Sequence, residues 1–300
     1  MKLALKIDID TYRGTREGVP RLVEAIQRHH ADATFLFSLG PDNTGRAIKR
    51  VFRPGFIRKV SRTSVVEHYG IKTLMYGTLL PGPDIGRACA DLLRSVRDAG
   101  FEVGIHTWDH IRWQDHVAGK DAAWTAAEMQ KSVQRFEEIF GEKPRTHGAA
   151  GWQMNDHAYR LEQKYGFDYA SDCRGTEAFF PIVAGQALAV PQLPTTLPTL
   201  DELIGLDSLT AENVHEHLLQ LTAATNRDHV YTLHAELEGM RLLPVLERLL
   251  SGWREQGYEL TSVRKLFESL DLSKLPKNHV AQGNIPGRSG ELALQGSLSQ

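Results

Sequence analysis

Short apolar runs punctuate the chain at 3–9, 33–39, 101–105, 145–149, 167–171 and 229–235, and each reads as a strand. Between most of them lie longer stretches, 18–30, 84–99, 121–140, 155–165, 210–224 and 240–256, whose apolar residues recur at helical spacing. Trp124, Val133, Phe136 and Phe140 mark one such face. Strands that alternate with helices of this length predict crossover units and a parallel sheet covered on both sides, either doubly wound or closed as a (β/α) barrel. No glycine-rich fingerprint follows the first strand, which favours the barrel.

Two regions break this rhythm. Residues 46–80 are too long for an ordinary connection, and long irregular segments of compact domains are usually functional or disordered. Beyond residue 270 the sequence turns to Pro, Gly, Ser, Asn and Gln, a composition that buries too little apolar area to offset ordering entropy. A single domain over 1–268 and a flexible tail over 269–300 are expected. There are no internal repeats.

Composition narrows the function classes. With 35 basic against 37 acidic residues the chain lacks the excess charge of a nucleic-acid binder. Cys89 and Cys173 match no metal or redox spacing and are expected as two free thiols. Lys6, Asp8 and Asp10 interrupt the apolar start of the chain, so it does not read as a signal peptide, and no apolar run is long enough to span a bilayer. A cytoplasmic location is expected. Neither G-x-x-x-x-G-K-[ST] nor G-x-G-x-x-G occurs, which disfavours a nucleotide-using enzyme.

The candidate chemistry gathers at the ends of the expected strands, where parallel α/β folds place their functional groups. Asp8 and Asp10 close the first strand, His106 and His110 follow the third in "HTWDH", Asp172 and Arg174 follow the fifth, and His234 ends the last. If 106–110 form one helical turn, the two imidazoles share a side and can grip one cation. A carboxylate from a neighbouring strand completes a two-His, one-carboxylate face of the kind that holds catalytic zinc, although iron, cobalt or nickel suit the same donors. Asp8 and Asp10 share a face of their strand, so one can ligate while the other accepts a proton from water whose pKa the ion lowers to about 7. His234 is suited to protonating a departing nitrogen, with Asp172 to hold its ring. Trp108, Trp113 and Trp152 flank these residues and are candidate sugar-stacking walls or core packing. His29, His30, His215 and His217 are assigned no chemistry.

The order Asp-x-Asp, H-T-x-x-H, a glycine-ending loop, an Asp and Leu-His resembles the polysaccharide deacetylases of the NodB-homology family, metal-dependent carbohydrate amidohydrolases on a distorted (β/α) barrel. The resemblance spans about residues 1–268 and implies Asp8 as general base, Asp10, His106 and His110 as metal ligands, and His234 as general acid. It departs at the third motif: the family has an arginine that steadies the base, whereas "HGAAG" puts His147 there. Arg174 is the substitute candidate. "IDIDTYRGTREGVP", "FSLGPDNTGR", "HTWDHIRWQ", "SDCRG", "LPTTLPTLDELIG" and "YTLHAELEG" further resemble a subgroup that removes formyl from 4-deoxy-4-formamido-L-arabinose carried on undecaprenyl phosphate, a step toward lipid A modification and polymyxin resistance. Arg13, Arg16, Trp108 and Trp152 are the candidates for holding such a substrate.

Residues 46–80 bear on a lipid-carried substrate directly. They hold eight basic residues against the single acid Glu67, interleaved with apolar residues such as Phe52, Phe56 and Ile57. Such a segment suits the anionic inner face of a membrane, where each Lys or Arg contributes about 1 kcal/mol, and also suits a solvated lid. Two other functions stay open at this stage, a deacetylase of another amino sugar and a non-catalytic protein that binds a sugar lipid.

Overall fold

A computed structural model describes residues 1–47 and 70–298; the greater part of the expected membrane-facing insert, 48–69, lies outside them. The first strand, β1 (Lys2–Ile9), shows how the sequence sets the architecture. Its odd residues Leu3, Leu5, Ile7 and Ile9 join the main apolar core together with Val19, Leu22 and Ile26 of α1 (Val19–Arg28). Its even residues, alternating by the strand's two-residue period, face the other way, into the barrel.

Parallel pairing runs from β1 through β2 (Thr34–Ser38), β3 (Glu102–Thr107) and β4 (Thr146–His147) to β5 (Tyr169–Ala170). β6 (Phe180–Val183) and β7 (Gln186–Ala187) stand outside this sheet, and β8 (His229–His234) and β9 (Glu259–Thr261) rejoin it on β1. The two edges of β1 are used differently. β8 follows one edge from Leu3 to Asp8, while the other is shared, Lys2 to Ala4 with β9 and Lys6 to Ile9 with β2. No named strand fills the gap between β5 and β8 among the described residues; an extended segment bridges it, with Leu193 N–H donating to the Ala170 carbonyl and Thr196 N–H to that of Val230. The outcome is the distorted parallel barrel the sequence predicts.

Helices cover its outside: α2 (Ala90–Asp98), α3 (His110–His116), α4 (Ala122–Phe140), α5 (Asp156–Tyr165), α6 (Val214–Ala223) and α7 (Leu243–Glu255). Local chemistry sets their ends. Asp121 and Asn155 cap α4 and α5 by accepting the N–H of Trp124 and Ala158, and each helix stops at a left-handed glycine, Gly141 (φ 71°) and Gly166 (φ 74°). The helix expected over 84–99 is interrupted at Cys89. α8 (Val263–Glu268) plugs the amino-terminal end of the barrel, where Val263 and Leu266 pack with Ala4, Tyr169, Leu193 and Val230. Above that apolar floor the lining turns polar: Lys6 is in register with Thr34 and Thr232, and Asp8 with Leu36 and His234. No helix among the described residues is long and apolar enough to cross a membrane.

The flexible tail expected over 269–300 is not what the structure has. β10 (Lys277–Gly283) pairs in parallel with β6 and antiparallel with β11 (Leu292–Leu298), making a four-stranded sheet with β7 at its edge. β11 docks on the barrel through Arg174, whose N–H donates to the Ala293 carbonyl and whose carbonyl accepts from Gln295 N–H, and Leu292 and Ala293 are buried. The apolar residues needed are few because these strands keep much of their surface in solvent, so composition alone hides them.

Candidate active site

Asp10 follows β1, His106 lies within β3 near its end, and His110 is the first residue of α3. The single helical turn expected over 106–110 is therefore a strand end, a short connection and a helix start, whose Asp109 cap accepts the Arg112 N–H at 3.0 Å. The two imidazoles still meet, with ring centroids 5.3 Å apart. Asp10 Oδ1 lies 3.2 Å from His106 Nε2 and Asp10 Oδ2 3.3 Å from His110 Nε2. The three side chains bring donor atoms within 4.8 Å of one another.

The chemistry of these atoms fits a cation. His106 Nδ1 is 2.6 Å from the Gly148 carbonyl, which can only accept, so Nδ1 carries the proton and Nε2 presents a lone pair to Asp10. Two acceptors face each other there, and both His106 Nε2 and Asp10 Oδ1 are buried without a hydrogen-bond partner. Buried polar atoms are rarely left so, and a divalent ion bound by one carboxylate and two imidazoles satisfies both. Burial alone would raise the Asp10 pKa, but positive charge at His110 and His106 outweighs it and holds the carboxyl well below its ordinary range, and a cation held by these donors would act in the same sense.

Asp8 and His234 sit beside this trio in adjacent strands and in register. Asp8 is 2% exposed, with its Oδ2 3.3 Å from Lys6 Nζ and its Oδ1 without a hydrogen-bond partner. His234 also leaves Nδ1 buried and unpartnered, and its backbone N–H donates to Glu238 Oε2 at 2.9 Å. Burial pushes the Glu238 carboxyl up to about 7, against the opposing pull of His234. Glu236 Oε1 accepts the N–H groups of Asp10 and Thr11 at 3.0 and 2.7 Å and the Thr11 hydroxyl at 2.8 Å, so the end of β8 fixes the end of β1. Asp42 accepts the Tyr12 N–H at 2.9 Å, and its neighbour Asn43 donates to Asp109 at 2.6 Å. Four strand-end loops, those after β1, β2, β3 and β8, are thus tied together around the site.

Neither glutamate nor Asp42 and Asn43 had been singled out from sequence. "HAELEG" and "GPDNTGR" mark their neighbourhoods, but nothing in residue type alone separates a loop tie from a solvated acid. Glu236 leaves one more trace in the structure: a Cβ at Gly14 would fall 2.1 Å from its Oε1, so the turn after Asp10 needs glycine where the carboxylate passes.

Several expected partners are elsewhere. Asp172 does not hold His234; its Oδ1 lies 2.7 Å from His147 Nδ1, which also faces Glu162 Oε1 at 3.1 Å, while Gln192 donates to both carboxylates. In this fully buried cluster Asp172 keeps a depressed pKa despite burial, through His147, whereas burial and the neighbouring Asp172 raise that of Glu162. Arg174 does not reach Asp8: its Nη1 binds Glu202 Oε1 at 2.6 Å, and its Nη2 donates to the Leu197 carbonyl. Trp152 is 1% exposed, with Lys6, Arg174 and Arg288 against its ring, so it offers no open face to a sugar. Trp113 is core, packed on Trp124 and His147. Trp108 is half-buried under the Arg135 guanidinium. On the turn after Asp10, Arg13 pairs with Glu17 at 3.1 Å and Arg16 donates to the Tyr12 hydroxyl at 3.2 Å. Cys89 and Cys173 are both buried and unpaired.

Comparison with known proteins shows the family. A Shewanella sediminis protein named as a probable 4-deoxy-4-formamido-L-arabinose-phosphoundecaprenol deformylase, ArnD, is 39% identical over 99% of this chain and 95% of its own. A protein of the same name from Wigglesworthia glossinidia brevipalpis is 31% identical over 94% of this chain and 98% of its own. Among solved structures, one described as a polysaccharide deacetylase from Mycobacterium smegmatis superposes with a TM-score of 0.65 at 15% identity, covering 95% of this chain and 94% of that one, a likeness of fold. The family model for polysaccharide deacetylase matches residues 3–170, more than half of the chain. A parallel barrel that collects Asp8, Asp10, His106, His110 and His234 at one end is accordingly that of an amide C–N hydrolase, and the chain belongs to the polysaccharide deacetylase family.

Proposed function

We propose that this enzyme hydrolyses the formamide of 4-deoxy-4-formamido-L-arabinose linked to undecaprenyl phosphate, giving formate and the 4-amino sugar lipid used to modify lipid A in polymyxin resistance. The names of its relatives support the substrate, and the orphaned Asp10 and His106 atoms beside Asp8 and His234 carry the chemistry. Asp10, His106 and His110 are the groups to hold a divalent cation, zinc by their nitrogen and oxygen donors. When bound, such an ion supplies a Lewis acid for the amide carbonyl and lowers the pKa of coordinated water to about 7.

The remaining steps belong to the chain. Asp8 accepts the proton of the attacking water on its unpartnered Oδ1. His234, across the site, gives a proton to the sugar nitrogen as the C–N bond breaks. Arg13 and Arg16, in the turn after Asp10, and the half-buried Trp108 are the candidates for meeting the phosphosugar. The lipid tail calls for work at the inner face of the inner membrane, and the basic stretch in 46–80 together with Ile71 and Leu79, 70% and 78% exposed at its edge, supports that location.

The test is formate release by purified protein from the formamido-arabinose lipid, before and after chelation, with the acetamido analogue and the carrier-free sugar alongside. Formate release that chelation abolishes and zinc restores is the expected result. Acetate release with no formate would make this a deacetylase of another amino sugar, and binding without release of either acid a non-catalytic sugar-lipid binder.

A further inference from the structure

Lysine is among the residues least often found fully buried, yet Lys6 is 0% exposed in the middle of the barrel. It shares the inward face of β1 with Asp8, and its Nζ lies 3.3 Å from Asp8 Oδ2 and 5.3 Å above the Trp152 ring. The space it occupies is left by a neighbour. A Cβ at Gly148 would come 2.8 Å from Lys6 Cε and 3.2 Å from its Nζ, so the loop after β4 lacks a side chain where the ammonium lies.

The other nearby cations have their own partners. Arg174 and Arg288 converge on Glu202 at 2.6 and 3.1 Å, and His147 faces Asp172 and Glu162. His106 lies 3.8 Å from Asp8 Oδ1 but directs that Nδ1 proton to the Gly148 carbonyl. Lys6 Nζ, itself buried without a hydrogen bond, is thus paired by charge with Asp8 Oδ2, and Oδ1 is left without a hydrogen bond. Stability is a poor reason for this arrangement, since a buried ion pair is often no better than apolar residues of the same volume.

We propose that Lys6 is a positioning residue for the reaction: its ammonium holds the Asp8 carboxylate by the charge pair at Oδ2, so that Oδ1 is kept free and aimed at the water whose proton it takes. The inference rests on Asp8 as general base, and its test keeps the two apart. Lys6→Met, Asp8→Asn and the double variant are made in the full chain, loaded with zinc, and assayed for formate release from the formamido-arabinose lipid, with zinc content and thermal unfolding measured in parallel. Lys6→Gln is run beside them under the same criteria, in case methionine packs badly.

Lys6→Met is expected to lower kcat on the order of 100-fold while KM stays within about threefold, zinc content stays at the parental level and the melting temperature does not fall. The double variant is expected to be no slower than Asp8→Asn alone, because the two side chains act as one unit. The inference is overturned if Lys6→Met keeps a near-parental kcat while Asp8→Asn is inactive, or if the Lys6 effect persists in full when Asp8 is already gone. Parental turnover by Asp8→Asn would instead remove the base assignment, and this inference with it.

Discussion

Asp8 and Asp10 are chemically alike and two residues apart, and their surroundings separate them. Asp10 meets two imidazoles, Asp8 meets an ammonium. His106→Ala is accordingly expected to lose both zinc and turnover, whereas Asp8→Asn and His234→Asn keep zinc, measured by elemental analysis, and lose turnover by a factor of about 100 to 10,000. A second prediction lies at the far end of the barrel. Burial beside Arg227 lowers the His229 pKa from 6.5 to about 4, and its two ring nitrogens face the hydroxyls of Thr196 and Thr225. The folded state thus favours the neutral ring, so its stabilisation is present above pH 6.5 and is lost as pH falls toward 4. His229→Asn should flatten the fall in unfolding free energy across that window by about 1 kcal/mol, read from chemical denaturation at a series of pH values. At this scale the meeting of Asp10, His106 and His110 was legible, because strand alternation and the four-residue spacing of the histidines survive even though the turn is not helical. The partners of Asp172, Arg174 and Lys6 were not: which acid meets which base depends on strands distant in sequence, and Lys6 read only as an interruption of an apolar run.

Among the elements, six of the seven strands of the parallel sheet, all but the three-residue β9, follow from their apolar runs, since a parallel strand buried on both faces leaves a continuous apolar pattern. β10 and β11 carry no such signal, and their order comes from pairing with β6 and from the bonds between β11 and Arg174. Chain end and barrel are coupled through Arg288, which lies between these strands, 4.4 Å above Trp152 and 3.1 Å from Glu202. Truncation after Pro276 is therefore expected to cost about 2–4 kcal/mol of stability and most of the turnover. Chemical denaturation and formate release check it; a truncated chain with parental stability would show the strands to be ornamental.

For the molecule as a whole, the barrel puts its chemistry at one end and an apolar plug at the other. If the open end works at a membrane, the protein should sediment with vesicles containing phosphatidylglycerol at low salt and be released at high salt. Replacing Ile71 and Leu79 by aspartate should weaken that association at least severalfold and raise KM for the lipid-linked substrate more than for a carrier-free one. Equal behaviour of the two substrates would place the lipid outside the recognition event. Fold class was readable at this scale from alternation alone; how the barrel closes was not, because the bridge between β5 and β8 is extended backbone with no strand-like periodicity of its own.

The divided edge of β1 carries a last implication. Held by β8 along one side and by β9 and β2 in succession along the other, that strand has no freedom to slide. A slip of one position would turn Lys6, Asp8 and Asp10 outward into the helical layer and bring leucine and isoleucine into the lumen. Chains that assemble wrongly should thus be inert rather than sluggish, so purified preparations ought to divide into fully competent and wholly silent molecules, a partition that active-site titration against protein mass can count.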